Sequence, residues 1–409
     1  MPETIRFNPN VEAVQPSATL AMTARAKQLK REGLPIIGLS AGEPDFDTPA
    51  PIAEAGIEAI RDGFTHYTEN LGMPELREAI CRKLETNNGL SYAPDQVLCS
   101  NGAKQSVALS ILSLCRPGDE VLIPAPYWVS YPEMVRLAGG TPVALPTTAA
   151  DEYRVSPADL EQAITDDTRL LILCSPSNPT GSVYPPDELQ AIAEVLRRYP
   201  DVFVLSDEIY ELVIFDAEHT SFASLDGMKD RTITVNGFSK AYAMTGWRLG
   251  YLAGPRPIVK AAAKVQSQFT SAPSSITQRA GIAALGLEGS YVRDMVTAFR
   301  ERRDYMLDRL SGIEGLRCPR PEGAFYLFPD VSAYFDSTSP DGRSIETSED
   351  LCFYLLEEHH VALVPGDAFG SPDGLRISYA ASMEDLGEAM DRVERGLSPH
   401  TLAAYRRDL

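Results

Sequence analysis

The sequence predicts an α/β fold with a second, smaller α+β domain, on three observations. Apolar runs of strand length alternate with helix-length amphipathic segments through most of the 409 residues, the pattern expected of βα units. A chain of this length exceeds the size at which one hydrophobic core keeps growing, so a large domain with a smaller partner is expected. After about residue 305 the pattern changes: a polar segment, Asp336 to Asp350, interrupts short strand-like runs such as Ala324 to Phe328 and Val361 to Val364. The expected division is a large domain over 50–305 and a small domain built from 1–49 plus 306–409.

The elements follow from local signals. Ala18 to Glu32 reads as a helix stopped by Gly33, Glu75 to Glu85 as another, and Asp187 to Tyr199 as a third with an acidic first turn. Four apolar runs end in polar or glycine-rich residues. They are Val97 to Lys104, Leu170 to Asn178, Val202 to Glu208, and Ile233 to Lys240. In open parallel α/β sheets ligands bind outside the carboxyl ends of the strands, so these four tails are expected to converge on one ligand.

Composition narrows the partners. With 37 Lys plus Arg against 57 Asp plus Glu, the formal charge is −20, which disfavours nucleic acid or an anionic membrane as a main partner. Any anion site is therefore local. Met1 to Asn10 lacks a basic start and an apolar core, and no run approaches membrane-spanning length, so a cytoplasmic protein is expected. The six cysteines form no C-x-x-C pair and the five histidines no H-E-x-x-H spacing; reduced thiols and no metal are expected.

The strand tails carry the chemistry. Gly102 and Ala103 precede a plausible helix over Gln105 to Cys115 and offer amides at its positive end, suited to phosphate. Lys104 in the first turn opposes the helix dipole and calls for an anion or for exposure; alone, it would read as a surface lysine. Asp207 closes an apolar run, where an ionised carboxylate needs a cation or several donors. A protonated pyridine nitrogen would serve, and a loop or cap carboxylate is the ordinary alternative. Lys240 precedes an apolar stretch of small residues that favours its neutral, nucleophilic form. Eight residues on, the planar donors of Arg248 suit a phosphate. Taken singly, either residue would more often be a surface or salt-bridge group.

These residues lie in recognisable runs: Ser175-Pro176-Ser177-Asn178-Pro179-Thr180-Gly181, Asp207-Glu208-Ile209-Tyr210, Ser239-Lys240 through Gly246-Trp247-Arg248, and Arg376-Ile377-Ser378-Tyr379. In that order they resemble the class I and II aminotransferases of pyridoxal-phosphate fold type I. Ala41-Gly42-Glu43-Pro44-Asp45-Phe46 and Gly323-Ala324-Phe325-Tyr326 extend the likeness over nearly the whole chain. The resemblance implies a mostly parallel central sheet flanked by helices, with pyridoxal 5'-phosphate in the large domain. It implies that Lys240 carries the cofactor, Asp207 pairs with the ring nitrogen, and Tyr210 and Asn178 bond the ring hydroxyl. Gly102, Ala103, Lys104, Ser239 and Arg248 would surround the phosphate, and Trp128 would stack on the ring. Gly42, Lys104, Trp128, Asn178 and Arg376 would meet the substrate, with Arg376 gripping the α-carboxylate. Leu375 and Ile377 would point to the opposite strand face from Arg376 and Ser378. Tyr67 matches a tyrosine that reaches the neighbouring subunit's phosphate, so a homodimer with shared active sites is implied. Gly237 departs from the pattern, since many relatives place a phosphate-binding serine there, and leaves Asn101 or Ser239 to take that place.

Lys104 and Gln15-Pro16-Ser17-Ala18-Thr19 are similar to the bacterial aspartate aminotransferase branch, subgroup 1b. There the lysine reads the distal carboxylate of the substrate and the N-terminal segment closes over it. The resemblance implies ping-pong transfer of an amino group from aspartate to 2-oxoglutarate, with amino and 2-oxo acids as partners. Prephenate as a further acceptor stays open, as do aromatic or neutral amino acids and a pyridoxal-phosphate lyase, because cofactor motifs do not fix the reaction.

Overall fold

Seven strands form the central sheet in the computed structural model, which describes residues 6–16, 18–398 and 402. They are β1 (Val97–Ser100), β2 (Glu120–Ala125), β3 (Thr141–Pro146), β4 (Thr168–Cys174), β5 (Phe203–Asp207), β6 (Thr232–Gly237) and β7 (Gly250–Ala253). Their order is β1-β7-β6-β5-β4-β2-β3. β7 runs antiparallel to both neighbours, and the other pairings are parallel. The sheet is therefore mostly parallel, as expected. The four predicted strands are present, but β7 had no sequence signal that set it apart from the loop after Arg248.

Leu170 and Ile172 face one core cluster while Leu171 and Leu173 face another on the opposite side, as the two-residue period of a strand dictates. Helices cover both faces, which is why the runs are apolar throughout rather than alternating. Each such leucine contributes about 1.5–3 kcal/mol by burial. An aspartate continuing such a run is thus the anomaly to be explained. The register places Cys174 opposite Asp207 and Gly237 opposite Gly250, with Ser100 on the other side of Gly250. This brings the four strand tails to one edge.

The predicted helices form with shifted ends. Ala18–Arg31 is followed by Gly33 at φ +95°. Pro74–Asn88 is longer than expected at both ends, because Pro74 starts it and Gly89, at φ +65°, closes it. Pro186–Arg197 has Asp187 and Glu188 in its first turn. The predicted polar interruption is partly ordered: Ser337–Thr338 pairs with Ser344–Ile345. Thr347 and Asp350 then form a capping box for the helix Ser348–His359.

A separate core joins the N-terminal segment to the end of the chain. Met22, Ala26 and Leu29 pack with Phe299, Met306, Leu355 and Met390. Ile37–Gly38 pairs in parallel with Val361–Ala362. Beside this lie three short antiparallel strands, β8 (Tyr326–Leu327), β9 (Val364–Pro365) and β10 (Leu375–Ser378), in the order β9-β10-β8. β10 is buried on both faces, so Arg376 lies in no exposed strand face.

Candidate active site

The tails of β1, β4, β5 and β6 surround a cavity of about 200 Å3, which Ala103, Asn178, Asp207 and Lys240 line. Asp207 is 4 % exposed. Its Oδ2 accepts from the Tyr131 hydroxyl at 2.7 Å and its Oδ1 from the Ile209 amide at 3.3 Å. Burial pushes this carboxyl up to about 6 against the pull of those two donors. Lys240 Nζ donates to the Gly42 carbonyl and lies 5.8 Å from the ring centroids of Tyr210 and Phe325. Burial, aided by the charge of Arg376, brings its ammonium down to about 8. Near neutrality about a tenth of this lysine is therefore the free amine, the form that attacks a carbonyl and one that is scarce in an ordinary lysine.

Arg376, 2 % exposed, has only neutral partners among the described residues. Nη1 donates to Asn178 Oδ1 at 2.9 Å and Nη2 to the Ser40 carbonyl at 2.7 Å. Nε is buried without a partner. The guanidinium sits 4.6 Å from the Tyr326 ring centroid and 5.1 Å from that of Phe369. A buried charge with no counter-charge costs several kcal/mol, and a carboxylate ligand would offset that cost. Tyr210 and Tyr326 share a hydrogen bond at 2.8 Å between their hydroxyls. A Cβ on Gly42 would stand 2.9 Å from the Tyr326 hydroxyl, so this position admits no larger side chain without a shift.

At the opposite wall, Gly102 caps the helix Ala103–Leu114 at φ +83°, ψ 157°, a conformation open essentially to glycine. A Cβ there would meet Arg248 Nη2 at 2.5 Å. Arg248 donates to the Thr245 carbonyl at 2.8 Å and the Asn101 carbonyl at 3.4 Å. A fixed cation, a helix N-terminus and the buried Ser239 thus border one place, the donor set a phosphate takes. Ser239 lines the cavity and Gly237 does not. A Cβ on Gly237 would press on the Gly250 backbone at 3.0 Å, so a serine would be tight there. Lys104 Nζ lies 5.2 Å from the Trp128 ring centroid, at the cavity mouth. Although the residue as a whole is exposed, partial desolvation at the cavity mouth and then the charge of Arg248 lower its ammonium from the ordinary value.

The N-terminal segment borders the same mouth. Val14, Gln15 and Pro16 line an adjoining cavity of about 430 Å3 together with Lys104 and Tyr127, and the Gln15 amide donates to Glu133 Oε2 at 2.8 Å. Ser17 lies outside the described residues. Tyr67, 99 % exposed, is far out on the surface and does not line this cavity.

Residues 35–393 match the family described as aminotransferase class I and II. The chain belongs to that family. It is 58 % identical over 397 residues to a bifunctional aspartate aminotransferase and glutamate/aspartate-prephenate aminotransferase of Petunia hybrida, covering 96 % of this chain and 83 % of that protein. The crystal structure of an aspartate aminotransferase from Rhizobium meliloti superposes with a TM-score of 0.94 at 44 % identity, covering 98 % and 100 % of the two chains. An aspartate aminotransferase from Thermus thermophilus with maleate gives 0.90 at 41 %, covering 96 % and 100 %. The protein is accordingly a transaminase that depends on pyridoxal 5'-phosphate. The residues present fit that cofactor: a lysine whose ammonium is destabilised by burial, a buried carboxylate short of a cation, and an Arg and helix N-terminus short of an anion.

Sequence reasoning passed over four groups at the site. Tyr131 and Cys174 line the cavity beside Asp207, Tyr326 braces Tyr210, and the Ser40 carbonyl holds Arg376. Tyr131 had a signal, since it follows Trp128 by three residues and so shares its side of a helical turn. A backbone carbonyl has none.

Proposed function

We propose that the protein moves the amino group of aspartate to 2-oxoglutarate by alternating half-reactions, with prephenate as a further amino acceptor. The observation that carries the dicarboxylate reading is Lys104, a cation at the cavity mouth with no carboxylate partner among the described residues. With Arg376 taking the α-carboxylate, a second such cation suits a substrate with a carboxylate at each end. The relative from Petunia hybrida is named for aspartate and prephenate, and the one from Thermus thermophilus holds maleate, a dicarboxylate; both support this reading.

The residues around the cavity support the following roles. Pyridoxal phosphate, when bound, supplies an electron sink for the carbanion left when the substrate α-carbon loses its proton. Lys240 would anchor it and would carry that proton, since burial brings its ammonium down to about 8. Asp207 would pair with the ring nitrogen, and Tyr210 and Asn178 would bond the ring hydroxyl. Gly102, Ala103, Ser239 and Arg248 would hold the phosphate, and Trp128 would cover the ring. Arg376 grips the α-carboxylate next to Gly42, Lys104 takes the distal carboxylate, and Val14 to Pro16 exclude water above it.

We further propose a homodimer in which Tyr67 completes the partner's phosphate site. Tyr67 and Phe269, 99 % and 68 % exposed, support it, since large exposed aromatic groups mark interfaces. The two-domain division at about residues 49 and 305 is supported by the core that joins the N-terminal segment to the chain's end, which meets the large domain through Ile209 to Phe215 and Met295 to Phe299. Six free thiols favour a reducing compartment, the cytoplasm.

The deciding assay is oxaloacetate formed from aspartate by the purified protein. It is expected to depend strictly on an added amino acceptor, either 2-oxoglutarate or prephenate. Ammonia or an alkene released without any acceptor would contradict the transfer reading.

A further inference from the structure

Among the described residues, Asp207 has a single side-chain donor, the Tyr131 hydroxyl at 2.7 Å. Its other bond, from the Ile209 amide at 3.3 Å, is long for an N–H donor. Tyr131 is 1 % exposed and belongs to the helix Ser130–Leu137. Its amide donates to the Trp128 carbonyl at 3.0 Å. Its ring meets the Trp128 indole edge-on, with centroids 5.3 Å apart at 85°. One side chain therefore touches both the carboxylate at the cavity floor and the aromatic group beside it. Burial, then the charge of Asp207, raises the Tyr131 hydroxyl well above its ordinary value. It therefore stays protonated and can act only as a donor to the carboxylate.

We propose that Tyr131 is a positioning residue, whose hydroxyl aims the Asp207 carboxylate at the cofactor's ring nitrogen while its ring sets the angle of Trp128. This rests on the pyridoxal-phosphate reading above. Without the O–H group, Asp207 loses the main donor that offsets its burial, and its carboxyl moves further toward the neutral form. A neutral acid does not hold a protonated ring nitrogen. The ring then carries less positive charge, and the lysine–cofactor linkage keeps its own proton to higher pH.

The test is Tyr131→Phe in the holoenzyme, compared with the wild type. The pH midpoint of the bound cofactor's visible absorption is expected to rise by about half a pH unit. On the same footing kcat for aspartate falls about tenfold with KM within about twofold. In an Asp207→Asn background the same substitution is expected to change kcat by less than about twofold, because the group it acts through is already gone. An unmoved midpoint in the single variant, or a further tenfold loss in the double variant, overturns the proposal. A ring-fluorinated tyrosine at position 131 keeps the packing and makes the hydroxyl a stronger donor. It is expected to move the midpoint down, and no movement overturns the proposal even if Tyr131→Phe does not fold. A wild type that binds no cofactor would remove the underlying reading and the proposal with it, an outcome distinct from a coloured wild type whose variants match it.

Discussion

Asp207 and Glu208 are neighbours at the end of one strand, both buried, and their surroundings are opposites. Glu208 faces away from the cavity into a closed polar cluster. Ser206 and Ser221 each donate to its Oε1 at 2.8 Å, and His219 Nε2 lies 3.1 Å from its Oε2. In the same cluster Glu211 pairs with Lys83 and accepts from Asn88 at 2.7 Å. Although burial opposes it, Lys83 and His219 hold the Glu211 carboxyl below the usual range. Glu208, Glu211 and His219 are also the one group among the described residues with the spacing of metal ligands, but Lys83 already supplies the positive charge there. Asp207 faces the cavity, and among the described residues Arg248 and Lys240 there, and Arg376 behind Asn178, have only neutral hydrogen-bond partners. The lesson is that charges the fold needs for itself are closed by its own residues, while those meant for a ligand are left short of a partner.

The comparison can be broken most forcefully at Asp207. Asp207→Asn is expected to lower kcat about 10³-fold, about 4 kcal/mol, yet to stabilise the cofactor-free protein at neutral pH. The sign follows from the raised carboxyl. Folded Asp207 titrates at about 6 against about 4 unfolded, so its contribution is fully present below pH 4 and is lost as pH rises through 6. That loss is about 3 kcal/mol by linkage. Urea unfolding of the cofactor-free protein at pH 4.5 and 7.5 is expected to show this slope in wild type and not in the variant.

Arg376→Ala is next, with kcat/KM lowered about 10²- to 10³-fold for every amino acid tested, because the α-carboxylate is common to all. Steady-state kinetics on aspartate and alanine would show it, and a loss confined to one of them would contradict the assignment. On the closed side the pattern inverts. Glu211→Gln leaves Lys83 buried without its counter-charge and should cost about 3 kcal/mol of stability, while the specific activity of the folded fraction stays within about twofold. The smallest effect is at Lys104, which is exposed. Lys104→Ala is expected to lower the aspartate-to-alanine ratio of kcat/KM about tenfold; an unchanged ratio would remove the distal-carboxylate role.

Much of this contrast was legible in the chain. Asp207 and Lys240 stood out because an ionisable group after an apolar run needs a reason, and the four strand tails implied one meeting point. The large sheet followed from runs such as Leu170 to Cys174. What escaped was of two kinds. β7 was hidden because four residues after a mostly apolar, irregular loop carry little periodic signal, and its antiparallel direction is set by the register with Ser100 and Gly237. The partners of Asp207 and Glu211 were hidden because Tyr131 and Lys83 are distant in sequence and unremarkable in type, and His219 reaches Glu208 from an irregular loop. That Glu208 is structural and Asp207 is not could be read only once their side chains were seen on opposite sides of the sheet edge.

The most direct test of the central claim is borohydride reduction of the coloured holoenzyme followed by peptide mapping. The account predicts a single pyridoxyl-modified peptide bearing the label on Lys240, and no label when Lys240→Ala is treated in the same way. A label on Lys104 or any other lysine, or a reducible band retained in Lys240→Ala, would contradict it.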